Sequence, residues 1–141
     1  MRPSTYCTFT LAEHLFGVDV NCVQEVLRRA EVTRVPLAPP IVAGVTSLRG
    51  QIVTVVEGRR LMALTDRLDS EHPAHLVLKT PKGTVSMMVD GVGEVLSPPE
   101  ASLESLPEHV LPEIRDLLDA VSKLDESLLL LIDTERMFAR F

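Results

Sequence analysis

The sequence predicts a mainly β protein with a few short helices, on three observations. Short apolar runs dominated by Val and Leu recur along the chain, and seven Gly and ten Pro separate them at close intervals. Large aromatic side chains are scarce, with four Phe, one Tyr and no Trp among 141 residues. A core made of such aliphatic and β-branched residues, cut into short runs, packs best on pleated sheets. With 45% of residues hydrophobic, the chain can form one domain or two small lobes with a common core.

The elements follow in chain order. Cys7, Phe9 and Leu11 alternate with polar Thr8 and Thr10, and Phe16, Val18 and Val20 alternate again after Ala12-Glu13-His14. That period of two predicts a β-hairpin with one buried face. Asn21 followed by Gln24 resembles a capping box, and Val23, Val26 and Leu27 then share one helical stripe ending at Arg28-Arg29, so a short helix is expected here. Pro36, Pro39 and Pro40 forbid helix over the next stretch. Two apolar runs, Ile41 to Leu48 and Ile52 to Val56, flank Arg49-Gly50-Gln51 and predict two antiparallel strands joined by a tight turn. Arg49 is the sole charge between Arg34 and Glu57. A lone guanidinium among buried strands requires a carboxylate or carbonyl partner.

After Gly58, Arg59 to Leu64 suits one or two helical turns, and Thr65 to Pro73 is a polar linker. Three further strand signals cover His75 to Thr80, Val85 to Val89 and Val92 to Leu96, so the second half repeats the first half's architecture. A Pro-rich connection follows from Pro98 to Pro112. Ile114, Leu117, Leu118 and Val121 have helical spacing, while Ala120 to Leu124 suits a strand equally well. Leu128 to Ile132 reads as a strand covered on both faces, and Asp133 as the cap of a last helical turn bearing Met137, Phe138 and Phe141.

Charge and cysteine use narrow the function. A net charge of −6 and a pI near 5.2 argue against a nucleic-acid binder, and the basic pair Arg59-Arg60 reads as the solvated end of a short helix. Cys7 and Cys22 lack the spacing of a metal or redox motif and read as free thiols in a reducing compartment. The longest uncharged stretch, Val35 to Leu48, is interrupted by three prolines and a glycine, so no membrane insertion is expected and the protein is read as cytoplasmic. His14, His72, His75 and His109 are scattered without metal-ligand spacing and are read as surface residues. Nucleophile-elbow, phosphate-loop and dinucleotide motifs do not occur; Gly91-Val92-Gly93 lacks the third glycine and the following helix. Asp90 and Glu94 are read as solvated turn residues. Neither a metal nor a cofactor is expected.

Four ordered blocks carry a resemblance to the CheW family of chemotaxis coupling proteins. They are Tyr6 to Leu27, Val32 to Val56, Val85 to Leu96 and Leu128 to Asp133. The resemblance implies one CheW-like domain over 1–141, built from two intertwined, five-stranded, SH3-like β-barrels that share a core. Its approximate subdomains are 14–66 and 67–125, with 1–13 and 126–141 completing either. It further implies a non-enzymatic adaptor that couples the cytoplasmic tips of chemoreceptors to the regulatory domain of a CheA-type histidine kinase, in the cytoplasm and recruited to membrane receptor arrays. Residue by residue it implies an ion pair of Glu25 with Arg49, receptor contacts at Val23 and Gly44, and kinase contacts at Gln51 and Thr54. Val23 reads equally well as core packing, and Gly44 as a strand glycine where backbones approach closely. Two stretches depart from the family pattern: Ser47 replaces the usual Asn, and Thr54 to Arg59 reads T V V E G R where P V I D L R is usual. A small-ligand-binding β-barrel with its pocket between the lobes is the alternative; such a pocket calls for aromatic or polar anchors, and this chain has few aromatics.

Overall fold

The structure is a computed structural model that describes residues 2–68 and 71–141. Eleven strands carry it: β1 (Tyr6–Leu11), β2 (His14–Asp19), β3 (Val23–Leu27), β4 (Val42–Leu48), β5 (Gln51–Glu57), β6 (Ala74–Thr80), β7 (Gly83–Val89), β8 (Gly91–Leu96), β9 (Leu103–Glu104), β10 (Leu118–Lys123) and β11 (Leu128–Ile132). Two short helices, α1 (Gly58–Leu61) and α2 (Thr134–Phe138), and three 3-10 segments complete the elements among the described residues. The mainly β expectation holds.

The strands form a six-stranded sheet in the order β8-β1-β2-β11-β10-β9 and a five-stranded sheet in the order β3-β6-β7-β5-β4. Apart from the short edge strand β9, the two sheets share one plan. In each, an antiparallel hairpin (β1-β2 or β6-β7) is followed by a parallel neighbour (β11 or β5), which pairs antiparallel with a further strand (β10 or β4). The remaining strand is exchanged. β3 follows β2 in sequence yet pairs with β6, and β8 follows β7 yet pairs with β1. The two sheets therefore repeat one arrangement, but not as a first and a second half of the chain: β3 to β7 form one sheet, while β1, β2 and β8 to β11 form the other.

A common core fills the space between the sheets. Phe9, Leu11, Phe16, Val18, Leu130 and Ile132 from the first sheet join Val56, Leu76, Leu78, Met87 and Val89 from the second in one buried cluster. Phe9 and Phe16 stack there with ring centroids 5.7 Å apart. At about 1.5 to 3 kcal/mol for each fully buried large aliphatic or Phe side chain, this shared cluster is the main favourable term holding the sheets together. Leu129 to Ile132 are buried, as five consecutive apolar residues required, and only Leu128 is half-covered. Asp133 caps α2 by accepting the Arg136 amide, and Met137 and Phe138 turn inward onto the core.

Four local expectations are corrected and one open choice is resolved. The helix expected from Asn21 is instead a 3-10 turn, Val20–Cys22, capped by Asp19, followed by strand β3. The apolar stripe in Val23–Leu27 is too short to stabilise a helix by itself, and pairing with β6 satisfies its backbone. The open choice after Ile114 resolves as a 3-10 segment, Pro112–Leu117, running into strand β10. His75 is buried rather than exposed, with its Nδ1 3.2 Å from the Ser86 hydroxyl across the β6-β7 pair. Arg59, read as part of a solvated helix end, and Asp90, read as a solvated turn residue, are both tied into one ionic cluster at the junction of the sheets.

Candidate functional site

The β4-β5 hairpin turns on Arg49 and Gly50, both at positive φ (50° and 82°). This is the requirement of a two-residue turn whose twist matches its strands, and glycine meets it without strain. The turn projects Arg49 away from the sheet, and its side chain is 65% exposed, against the expectation of a guanidinium enclosed by strands. Its expected partner is present: Arg49 donates to Glu25 Oε2 on β3. That hydrogen bond, reinforced by the carboxylate charge, raises the Arg49 pKa above its ordinary value. Since β3 and β4 stand at opposite ends of the five-strand order, the pair brings the two edges of this sheet within side-chain reach.

Glu25 differs from its partner in environment. Its side chain is 21% exposed, and Oε1 is buried with no hydrogen-bond partner. The pair therefore joins an exposed cation to a mostly covered anion.

The segment after β3 closes the same corner. Thr33 and Val45 exchange backbone hydrogen bonds of 2.8 Å in both directions, and the Thr46 hydroxyl donates to the Glu31 carbonyl. Gly44 lies beneath this crossing, buried, with φ of 154°. A Cβ there would stand 2.2 Å from the Thr33 carbonyl oxygen, so the position admits no side chain without a backbone shift. The close backbone approach foreseen for Gly44 is thus present, and substitution there perturbs the fold before any contact. Val23 is half-buried and packs against the shared core.

On β5 the alternation places Val53 and Val55 inward and leaves Gln51, Ile52 and Thr54 exposed, with Ile52 73% accessible. Leu27, Val45, Leu48 and Ile52 line a groove of about 510 Å³ beside the ion pair. No aromatic side chain lines it. The geometry is that of an open, mixed apolar and charged surface rather than an enclosed pocket. No group of three or more His, Cys, Asp or Glu able to hold a metal occurs among the described residues. Nor is any helix there long and apolar enough to cross a membrane.

Sequence reasoning missed a second charged centre. Asp90 receives the guanidinium of Arg59 at 2.7 Å and that of Arg67 at 2.8 Å, together with the Ala12 amide. Arg67 also reaches Glu57 Oε2 at 2.8 Å, and Arg59 donates to the Thr65 carbonyl. Burial disfavours the ionised Asp90, but the bonds from Arg59, Ala12 and Arg67 outweigh it and hold its pKa below the ordinary carboxylate value. Burial, and secondarily the charge of Arg67, pushes the His75 pKa down. The signal available in the sequence was the position of Glu57, the last residue of β5, and of Asp90, directly after β7, each adjoining a buried valine (Val56 and Val89).

Comparison with known proteins agrees with this architecture. The model of the CheW-like domain matches residues 5–141. The chain is 31% identical over 134 residues to the chemotaxis protein CheW of Klebsiella aerogenes, covering 95% of this chain and 81% of that protein. It is 25% identical over 130 residues to the chemotaxis protein CheW of Thermotoga maritima, covering 92% and 84%. The crystal structure of the scaffolding protein TtCheW from Thermoanaerobacter tengcongensis superposes with a TM-score of 0.81 at 26% identity, over 98% of this chain and 89% of that one. With the family model spanning all but the first four residues and the two-sheet plan in agreement, the chain belongs to the CheW-like domain family.

Proposed function

We propose that this protein is a non-enzymatic adaptor of bacterial chemosensory signalling, which couples chemoreceptor tips to the regulatory domain of a CheA-type histidine kinase. Family membership across the whole domain carries the reading. The open surface around the Glu25–Arg49 pair supports it, because it offers accessible area without an enclosed site. In this reading the receptor contacts include Val23 and the neighbourhood of Gly44, and the kinase contacts include Gln51 and Thr54. The protein acts in the cytoplasm, brought to the membrane by its receptor.

Calorimetry against a purified receptor tip and a purified kinase regulatory domain tests the proposal. The parent is expected to bind both. Thr54→Asp, at an exposed position of β5, should lose the kinase domain and keep the receptor tip. Val23→Arg should do the reverse, and Gln24→Arg, exposed on the same strand, replaces it if circular dichroism reports unfolding. A parent that binds neither partner, or folded variants that always gain or lose both partners together, would overturn the two-contact reading.

A further inference from the structure

We propose that Asp90 sets the relative orientation of the two sheets, as the hub of a charged latch at their junction. Among the described elements the chain passes between sheets at two places, through Val20–Cys22 from β2 to β3 and through Asp90 from β7 to β8. The second passage is a single residue long. Its carboxylate binds groups from both sides: the Ala12 amide in the β1-β2 turn belongs to the six-stranded sheet, and Arg59 follows strand β5 of the other. Arg67 adds a third arm, from Asp90 to Glu57 at the end of β5, and its side chain is only 6% exposed.

An independent steric feature marks the same junction. Gly58, which opens α1, is pressed between the Met88 carbonyl of β7 and Leu11 of β1; a Cβ there would stand 2.4 Å from the carbonyl oxygen and 3.1 Å from Leu11 Cδ2. Backbone contact and ionic hub together leave little room for one sheet to turn on the other. Guanidiniums fork rigidly toward a carboxylate, so two of them converging on one Asp fix direction as well as distance. A shared apolar core holds the sheets together without fixing their angle to the same degree, since such packing is non-directional. Asp90 is therefore a positioning residue for whatever the two sheets present jointly. That consequence for coupling rests on the adaptor reading; the orientation does not.

Residual dipolar couplings on the isolated, full-length chain decide the matter without any partner. In Asp90→Asn the couplings of each sheet are expected to fit the parent geometry separately but not jointly, and exchange of the Ala12 amide should accelerate by about tenfold or more. Arg67→Met keeps Asp90 and its Arg59 contact and should give a smaller rotation in the same sense; it carries the test if Asp90→Asn does not fold. Joint fitting of both sheets in the parent orientation, in whichever of these variants folds, would overturn the proposal. Loss of partner binding with an unchanged angle would likewise remove Asp90 from this role while leaving the adaptor reading intact.

Discussion

The Glu25–Arg49 pair and the Asp90 cluster use the same two functional groups, a carboxylate and a guanidinium, in opposite surroundings. At the hairpin tip the arginine stands 65% exposed. At the junction Arg67 is 6% exposed and Asp90 16%. Water screens the first pair and is largely excluded from the second, so geometry that looks alike on paper has different energetic weight. The exposed pair is suited to being touched, and the enclosed cluster to holding shape.

The largest effect expected from this contrast comes at the junction. Asp90→Ala leaves two enclosed guanidiniums without their common partner, which breaking a buried pair elsewhere costs about 3 to 5 kcal/mol. Urea unfolding of this variant should show a loss in that range. A loss below about 0.5 kcal/mol, the ordinary range of surface substitutions, would erase the distinction between the two sites.

A second, smaller effect concerns pH. His75 is held neutral in the folded state because burial, and then Arg67, lower its pKa, whereas an unfolded chain takes up that proton near pH 6.5. Below that point the unfolded state binds more protons, so stability should fall as pH drops from about 6.5 toward the lowered folded value. One proton sets a ceiling of about 1.4 kcal/mol per pH unit on the slope. Asp90 acts further down the scale: its contribution is fully present above the ordinary carboxylate pKa of 3.8 and is lost as pH falls through its lowered folded value. Chemical denaturation at a series of pH values should show both limbs, with His75→Gln flattening the upper one and Asp90→Asn the lower. An unchanged upper limb in His75→Gln would mean that this imidazole does not link folding to pH.

The same contrast explains what the sequence made legible. The β4-β5 hairpin was readable because Arg49-Gly50 between two apolar runs is a local signal, and its turn geometry needs nothing from elsewhere. Strand β11 was readable for a similar reason, since a run of apolar residues admits no solvent face. The Glu25 partner came from the family resemblance rather than from spacing. Strand β3, by contrast, was misread as helix because its identity is conferred by β6, far along the chain. His75 was misplaced because its partner Ser86 lies across the β6-β7 pair, and Asp90 because its partners arrive from three separate segments. Local turn and run signals were legible; polar and charged groups whose environment is assembled from separate segments were not.

The smallest effect belongs to the exposed pair, and its sign pattern is the informative part. Removing Glu25 leaves Arg49 in water, where the guanidinium is well solvated. Removing Arg49 leaves a carboxylate that is mostly covered and already has one oxygen without a partner. Arg49→Ala is therefore expected to lower the unfolding midpoint more than Glu25→Ala does. The double variant should resemble Glu25→Ala rather than the sum of the two, because deleting the carboxylate removes the group that Arg49 served. Thermal unfolding of the three variants side by side checks the order. Equal single effects with strict additivity would mean that the pair couples nothing and that the covered carboxylate is indifferent to its arginine. The reverse order, with Glu25→Ala the more damaging, would place the structural weight of this corner on the packing of the Glu25 side chain against its neighbours instead of on the charge it shares with the hairpin tip.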